Sequence, residues 1–234
     1  MTARTARLLV ASRNPKKLAE LRRVLDGAGI SGLELVSFDD VDPFDEAPET
    51  GATFEENALA KARDGFAATG LPTLADDSGL EVAALRGMPG VLSARWSGRH
   101  GDDAANYSLL LAQMYDVPDF RRGAAFVSAC ALVSGSADIT VVRGSWQGVI
   151  AREPLGQGGF GYDPVFIPES ETPGLRRSAA QLSSAEKDAV SHRGRALALL
   201  VPALRALGLP ILGKVEGAAL SDDGIRRLRD DLQR

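Results

Sequence analysis

The sequence predicts an α/β domain built on a mixed β-sheet rather than a purely parallel one. Two observations carry this prediction. A short apolar run, Arg7–Ser12, passes through Arg13-Asn14-Pro15 into a helical pattern, the signature of a strand, a tight turn and a helix. Two long β-rich runs, Ala124–Val133 and Ile139–Ile150, are separated only by Ser134-Gly135-Ser136-Ala137-Asp138, so they pair as antiparallel strands. Strands and helices are otherwise interspersed without strict alternation, which disfavours a doubly wound parallel sheet.

The elements follow in order. Asn14 suits an N-cap and Pro15 the first helical position; Leu18, Leu21 and Leu25 recur at helical spacing and Gly27 supplies a stop. Leu33–Ser37 predicts a second strand. Thr53 with Glu56 three residues on is a capping box, opening a helix that runs to about Thr69 with Gly70 beyond it. Leu71–Ala75 predicts a strand that delivers the chain into an acidic turn, Asp76-Asp77-Ser78-Gly79. Gly87–Gly90 and Trp96–Gly98 predict turns, and Asp102 caps a helix reaching about Tyr115. A glycine-rich loop, Gly156–Gly161, leads to a short strand at Val165–Ile167. Ser183 and Glu186 form another capping box, followed by a leucine-rich helix from about Ser191 to Leu207 in which Pro202 could introduce a kink. Residues 1–211 are expected to form one catalytic domain. Residues 212–234 form a C-terminal extension, a semi-ordered tail or a short amphipathic helix capped by Ser221.

Composition narrows the function. A net charge of −4 implies no broadly basic surface, so nucleic acid is not an expected partner, whereas a small anionic substrate needs only a few local cations. The single cysteine, Cys130, lies in an apolar run and excludes an intrachain disulfide, which fits a reducing cytoplasm. After the basic Met1–Arg7, the apolar stretch Leu8–Ala11 is too short for a signal-peptide core. No run approaches the ~20 residues of a membrane span, so a soluble protein without membrane partners is expected.

Five segments could carry chemistry. Ser12-Arg13-Asn14-Pro15-Lys16-Lys17 places a hydroxyl and two lysines at a helix N-terminus, where unpaired N–H groups and the helix dipole favour an anion; the alternative is a plain capped helix with solvated lysines. In Asp76-Asp77-Ser78-Gly79, adjacent carboxylates at the end of a buried strand resist desolvation, and a divalent cation such as Mg²⁺ would relieve both the repulsion and the burial. A carboxylate beside such a metal can also deprotonate water, although a polar capping turn explains the same residues. Of the acidic stretch Asp39–Glu49, mostly a solvated face, Glu49 is the candidate exception because it precedes the capped helix that carries Asn57 and Lys61 on one face. Gly158–Asp163 sets Phe160 between glycines, so the ring could stack on a base or tuck into the core. Lys187 and the doublet His192-Arg193 offer donors at a helix start, suited to carbonyl oxygens of a purine, although a histidine without an evident partner is usually structural, the alternative for His192; His100 sits in a polar turn with no assigned role.

Together these residues resemble the inosine triphosphate pyrophosphatase family, enzymes that remove deaminated purine nucleotides such as ITP, dITP and XTP. The matching segments are Ser12–Lys17, Glu49–Gly51 with Thr53–Ala58, Ala75–Leu80, Pro89-Gly90 through Ser93-Ala94-Arg95, Gly158–Pro164, and Glu186-Lys187 through Ser191–Gly194. They lie in the family's order from about Leu8 to Leu207. The resemblance implies an elongated mixed sheet flanked by helices, two lobes with a central cleft, and a homodimer. It implies hydrolysis of NTP to NMP and pyrophosphate with Mg²⁺, with Asp77 as proton acceptor and metal ligand and Glu49 as a second metal contact. Ser12, Arg13, Asn14, Pro15, Lys16 and Lys17 would hold the triphosphate, with Lys61 nearby, and Ser78 would touch the substrate. Phe160 would stack on the base, Gly161, Tyr162 and Asp163 would line its pocket, and Lys187, His192 and Arg193 would read the purine edge. The chain departs from the family at Ser12-Arg13, where many relatives have Thr-Gly, and in the extension Leu212–Arg234. Two other readings remain at this level: a related pyrophosphatase for other modified nucleotides, and a nucleotide-binding sensor without catalysis.

Overall fold

The computed structural model describes residues 6–12, 15–45, 48–169 and 176–208. The C-terminal extension, Arg13 and Asn14 lie outside them. Among the described residues six strands form one sheet: β1 (Ala6–Val10), β2 (Leu33–Val36), β3 (Thr73–Val82), β4 (Gly123–Val133), β5 (Ile139–Ile150) and β6 (Phe166–Pro168), in the order β2-β1-β3-β4-β5-β6. β1 runs parallel to β2 and β3, and every other pairing is antiparallel, so the sheet is mixed as expected. β4 and β5 are the long hairpin. Their 11 and 12 residues span about 35–40 Å and form its spine.

Helices cover both faces: α1 (Pro15–Gly27), α2 (Phe54–Thr69), α3 (Asp103–Gln113), α4 (Ser184–Val190) and α5 (His192–Gly208). Their ends follow local chemistry. Thr53 accepts from Glu56 N at 3.1 Å, and Gly70 closes α2 in the left-handed region at φ 66°, where a Cβ would be strained. The Glu56 carboxylate departs from the usual box and accepts from Ala52 N at 2.7 Å. α3, capped by Asp102, ends at Gln113, short of Tyr115. α5 continues through Pro202 to Gly208.

Strand alternation divides the core. Leu8, Val10, Leu74, Cys130 and Leu132 point to one face and pack on α1 and α5 through Leu21, Leu25, Leu197, Leu200 and Leu204. Ala75, Val127, Ala129 and Ala131 point to the other, where α2 approaches closely through Phe54, Ala58 and Ala62. A third cluster, around Phe126, Trp146, Phe166 and Met114, fills the far end beneath α3. Cys130 belongs to this interior; burial pushes its thiol up to about 12, so it is a packed hydrophobe rather than a nucleophile. No helix among the described residues is long and apolar enough to cross a membrane.

One element differs from expectation in a way that shapes the site. Asp76-Asp77-Ser78-Gly79 is not a turn: β3 runs unbroken through it, paired to Cys130, Ala129, Ser128 and Val127 of β4. Aspartate and glycine are poor strand formers in isolation, but an antiparallel partner of 11 residues overrides that preference. The period of two then sends Asp76 and Ser78 to one face and Asp77 to the other.

Candidate active site

β3 has a partner on both edges only at its start. β1 pairs with Thr73 and Leu74 and its last contact is the bond from Ala11 N to Leu74 O; from Ala75 to Ser78 no strand of the described residues pairs with that edge of β3, and beyond it Leu80 N donates to Ser93 Oγ at 2.9 Å and Glu81 bridges to Pro89. The gap lies beyond the carboxyl end of β1, where α/β sheets characteristically bind ligands. Side chains from both faces of β3 flank it.

On the α1–α5 face, Asp76 collects cations. Its carboxylate lies 2.8 Å from Lys17 Nζ and 3.2 Å from Arg193 Nε, with Ser78 Oγ 3.1 Å away. Burial alone would raise this carboxyl, but the two cations overrule it and hold it well below the usual carboxylate range. Asp76 is thus a fixed anion that aligns Lys17 from α1 with Arg193 from α5. Ser78 Oγ also lies 3.0 Å from Ser128 Oγ, its register partner.

On the α2 face, Asp77 meets a different set. Its Oδ2 accepts from Asn57 Nδ2 at 2.9 Å, and its Oδ1 lies 3.6 Å from Lys61 Nζ. Asn57 and Lys61 share one face of α2, as their spacing of four requires. Lys61 Nζ is also 2.5 Å from Glu49 Oε1, so one ammonium bridges the two carboxylates; Arg95 approaches Glu49 at 3.9 Å. Burial raises the Asp77 carboxyl, and Lys61 and Asn57 only partly offset this, so Asp77 is a stronger base than an ordinary aspartate. Glu49, half-exposed, is shifted down: burial would raise it, but its bond to Lys61 prevails.

Further along the cleft lies a pocket for a flat group. Lys17, Ser78, Phe160, Gly161, Tyr162, Asp163, Lys187, His192 and Arg193 all line it, nine expected residues drawn from four segments of the chain. Phe160 is 45% exposed, with Lys187 Nζ 4.8 Å from its ring centroid. Lys187 is held 2.5 Å from Asp163 Oδ2, and the same oxygen accepts from Phe160 N at 2.9 Å. Tyr162 OH donates to Ser93 O at 2.9 Å. His192 is 6% exposed and stacks on Phe126, centroids 5.1 Å apart; burial and neighbouring cations push its pKa well below the usual value, so it is a neutral imidazole. α5 reaches this position because Gly144 of β5 lies beneath it: a Cβ there would collide with His192 O and stand 2.5 Å from Ala196 N.

The residues suit Mg²⁺. Among the described residues no three His, Cys, Asp or Glu side chains cluster as a self-sufficient metal cage. Asp77 and Glu49 nevertheless supply hard oxygen donors on one side of the cleft. Mg²⁺ takes one or two carboxylates and completes its shell with water and phosphate oxygens.

The Ham1 family model matches residues 8–203. The chain belongs to the Ham1 family. A relative from Mycobacterium tuberculosis (strain ATCC 25618 / H37Rv), named dITP/XTP pyrophosphatase, is 76% identical over 205 residues, covering 88% of this chain and 98% of its own. One of the same name from Nocardia farcinica is 71% identical, covering 86% and 96%. Among solved structures, a nucleoside-triphosphatase / dITP/XTP pyrophosphatase from Mycobacterium abscessus superimposes with TM-score 0.72 at 67% identity, covering 85% of this chain and 100% of that one. A Ham1 protein from Coxiella burnetii gives TM-score 0.74 at 40% identity, covering 86% and 99%. The family resemblance and the mixed α/β fold expected from the sequence both hold.

Within this Ham1 fold, Asp77 and Glu49 lie beside the pocket, on the α2 face. Ser12 lies two residues beyond the end of β1 and precedes α1. Arg13 and Asn14 lie outside the described residues, as do the side chains of Pro15 and Lys16, whose backbone opens α1. Sequence reasoning missed Ser93, Phe126 and Asp103 as pocket residues. Phe126 sits in an apolar run with nothing to separate it from core. Asp103 left one signal, the doublet Asp102-Asp103, in which a single cap accounts for only one carboxylate.

Proposed function

We propose that this chain hydrolyses deaminated purine nucleoside triphosphates, ITP, dITP and XTP, to the monophosphate and pyrophosphate, and so cleanses the nucleotide pool. The observation that carries the reading is the open edge of β3, where the raised carboxyl of Asp77 adjoins Ser78 of the base pocket. The base enters between Phe160 and the wall formed by His192 and Phe126. Lys187, His192 and Arg193 present donors to its oxo groups, and the triphosphate runs toward Lys17 and the start of α1. Asp77 takes a proton from water as the water oxygen bonds to the α-phosphorus, and the bond from that phosphorus to the α–β bridging oxygen breaks to release pyrophosphate. Asp77 and Glu49 would hold Mg²⁺, which when bound neutralises phosphate charge and acidifies water. Lys61 shares the same carboxylates and keeps Asp77 oriented through the reaction.

Discrimination follows from the donors. A 6-oxo group satisfies them, whereas the amino group of adenine leaves buried donors unpaired, a mismatch worth up to about 10⁴–10⁵-fold in kcat/KM. A homodimer in the cytoplasm completes the proposal, on the family resemblance alone. A panel of ITP, XTP, dITP, GTP, ATP and dUTP with Mg²⁺, resolving phosphate from pyrophosphate, tests it. Pyrophosphate from the deaminated purines is the expected product; orthophosphate as direct product would overturn the reaction, and binding without turnover would favour a sensor. Phe160→Ala should raise KM for ITP about 10- to 100-fold with kcat little changed, because base–aromatic stacking is worth about 1–3 kcal/mol. Steady-state kinetics check this, and an unchanged KM would count against stacking.

A further inference from the structure

We propose that Asp103, the first residue of α3, is a positioning residue that fixes the direction of the Phe160 ring; the inference rests on the base pocket of the proposed function. Asp103 Oδ2 accepts from Gly161 N at 2.6 Å, joining α3 to a loop 58 positions away in the chain. The preceding amide, Phe160 N, donates to Asp163 Oδ2 at 2.9 Å. The two peptide groups flanking the Phe160 Cα are therefore each anchored by a carboxylate. Together they hold both backbone torsions of the one residue placed to stack on the base. Asp163 comes from the same loop, whereas Asp103 comes from α3, so Asp103 ties the backbone next to Phe160 to that helix, beside the side-chain tie from Tyr162 OH to Ser93 O.

Three further observations assign this role. Gly161 has φ +61°, in the left-handed region that glycine enters and leaves freely, so its direction is set by what its amide is bonded to. The loop around it is rich in glycine, so its backbone has little intrinsic rigidity. The rest of the α3 N-terminus is already anchored. Asp102 caps the helix by accepting from Ala105 N, and Asn106 accepts from Ser97 N at 2.7 Å and donates to Ala94 O at 3.2 Å. Asp103 is not needed for the cap, lines the pocket itself, and its charge raises the Tyr162 phenol alongside the larger effect of burial. The wall formed by Ser93 and Ala94 is thus fixed to α3 by Asn106, and the loop is fixed to α3 by Asp103.

The test compares Asp103→Ala with Asp103→Asn, whose amide oxygen can still accept from Gly161 N. Three readouts apply: KM and kcat for ITP, the inhibition constant of inorganic tripolyphosphate, which probes the phosphate end alone, and amide hydrogen exchange of residues 156–163 in the nucleotide-free protein. Asp103→Ala should raise KM about tenfold, the loss expected for one charge-assisted hydrogen bond, with kcat within about threefold. Tripolyphosphate inhibition should be unchanged, loop exchange faster, and Asp103→Asn close to wild type in all three. A KM within twofold of wild type, or a parallel loss of tripolyphosphate binding, would overturn the proposal. If the wild-type protein released no pyrophosphate from ITP, the functional reading would fall, and the exchange measurement would still decide the latch: equal loop exchange in Asp103→Ala and wild type refutes it.

Discussion

Asp77→Asn should lower kcat for ITP by about 10²–10⁴-fold, the usual worth of a positioned general base, while the nucleotide still binds. The substitution is isosteric, and an amide oxygen can still accept from Asn57 Nδ2, so the geometry of the α2 face should persist. What disappears is the charge that accepts the water proton and offers an oxygen ligand to Mg²⁺. Binding should survive because the base pocket and Lys17 are contributed by other residues. Calorimetric titration with ITP in the presence of a chelator, beside a pyrophosphate-release assay with Mg²⁺, separates the two effects. Turnover within tenfold of wild type would remove Asp77 from the catalytic role, and loss of binding in step with turnover would make it a structural residue.

The contrast between Asp77 and its neighbour shows which parts of the site were legible in the sequence. The helix ends were, because caps are local chemistry: Thr53, Gly70, Asp102 and Ser183 act on residues three or four positions away. The β4–β5 hairpin was legible from two β-rich runs joined by a short linker. The setting of Asp76 and Asp77 was not. A turn would have placed both carboxylates together, as joint candidates for one metal. The pairing of β3 with β4 decides otherwise, and that pairing sets Asp76 and Asp77 opposite Cys130 and Ala129, more than 50 positions away. Strand alternation then gives the two aspartates opposite environments, Lys17 and Arg193 for one and Asn57 and Lys61 for the other, with opposite consequences for their protonation. Adjacent letters in a motif became two separate devices. The acidity of Asp76 suits a permanent counter-ion, and the basicity of Asp77 suits proton transfer.

Asp76→Asn should accordingly damage stability, where Asp77→Asn damages turnover. Asp76 and Arg193 are both about nine-tenths buried, and Lys17 is partly so. Removing one partner of a buried ion pair costs about 3–5 kcal/mol, because the remaining charge is desolvated without its counter-ion. Lys17 keeps some contact with water, which places the expected loss near about 3 kcal/mol, or roughly 6–12 °C in Tm for a chain of this length. The effect carries a pH signature. Asp76 is more acidic folded than unfolded, so on acidification the unfolded chain takes up the proton first. The stabilisation is complete above about pH 4, the unfolded value, and is lost as pH falls toward the lower folded value. Melting curves of wild type and variant should lie far apart at pH 6–7, and the gap should begin to narrow only below about pH 4. A gap that stayed constant below that pH would show that the Asp76 charge contributes nothing. ITP should also raise the variant's Tm by more than the wild type's, since a triphosphate beside Lys17 returns the negative charge that the substitution removed.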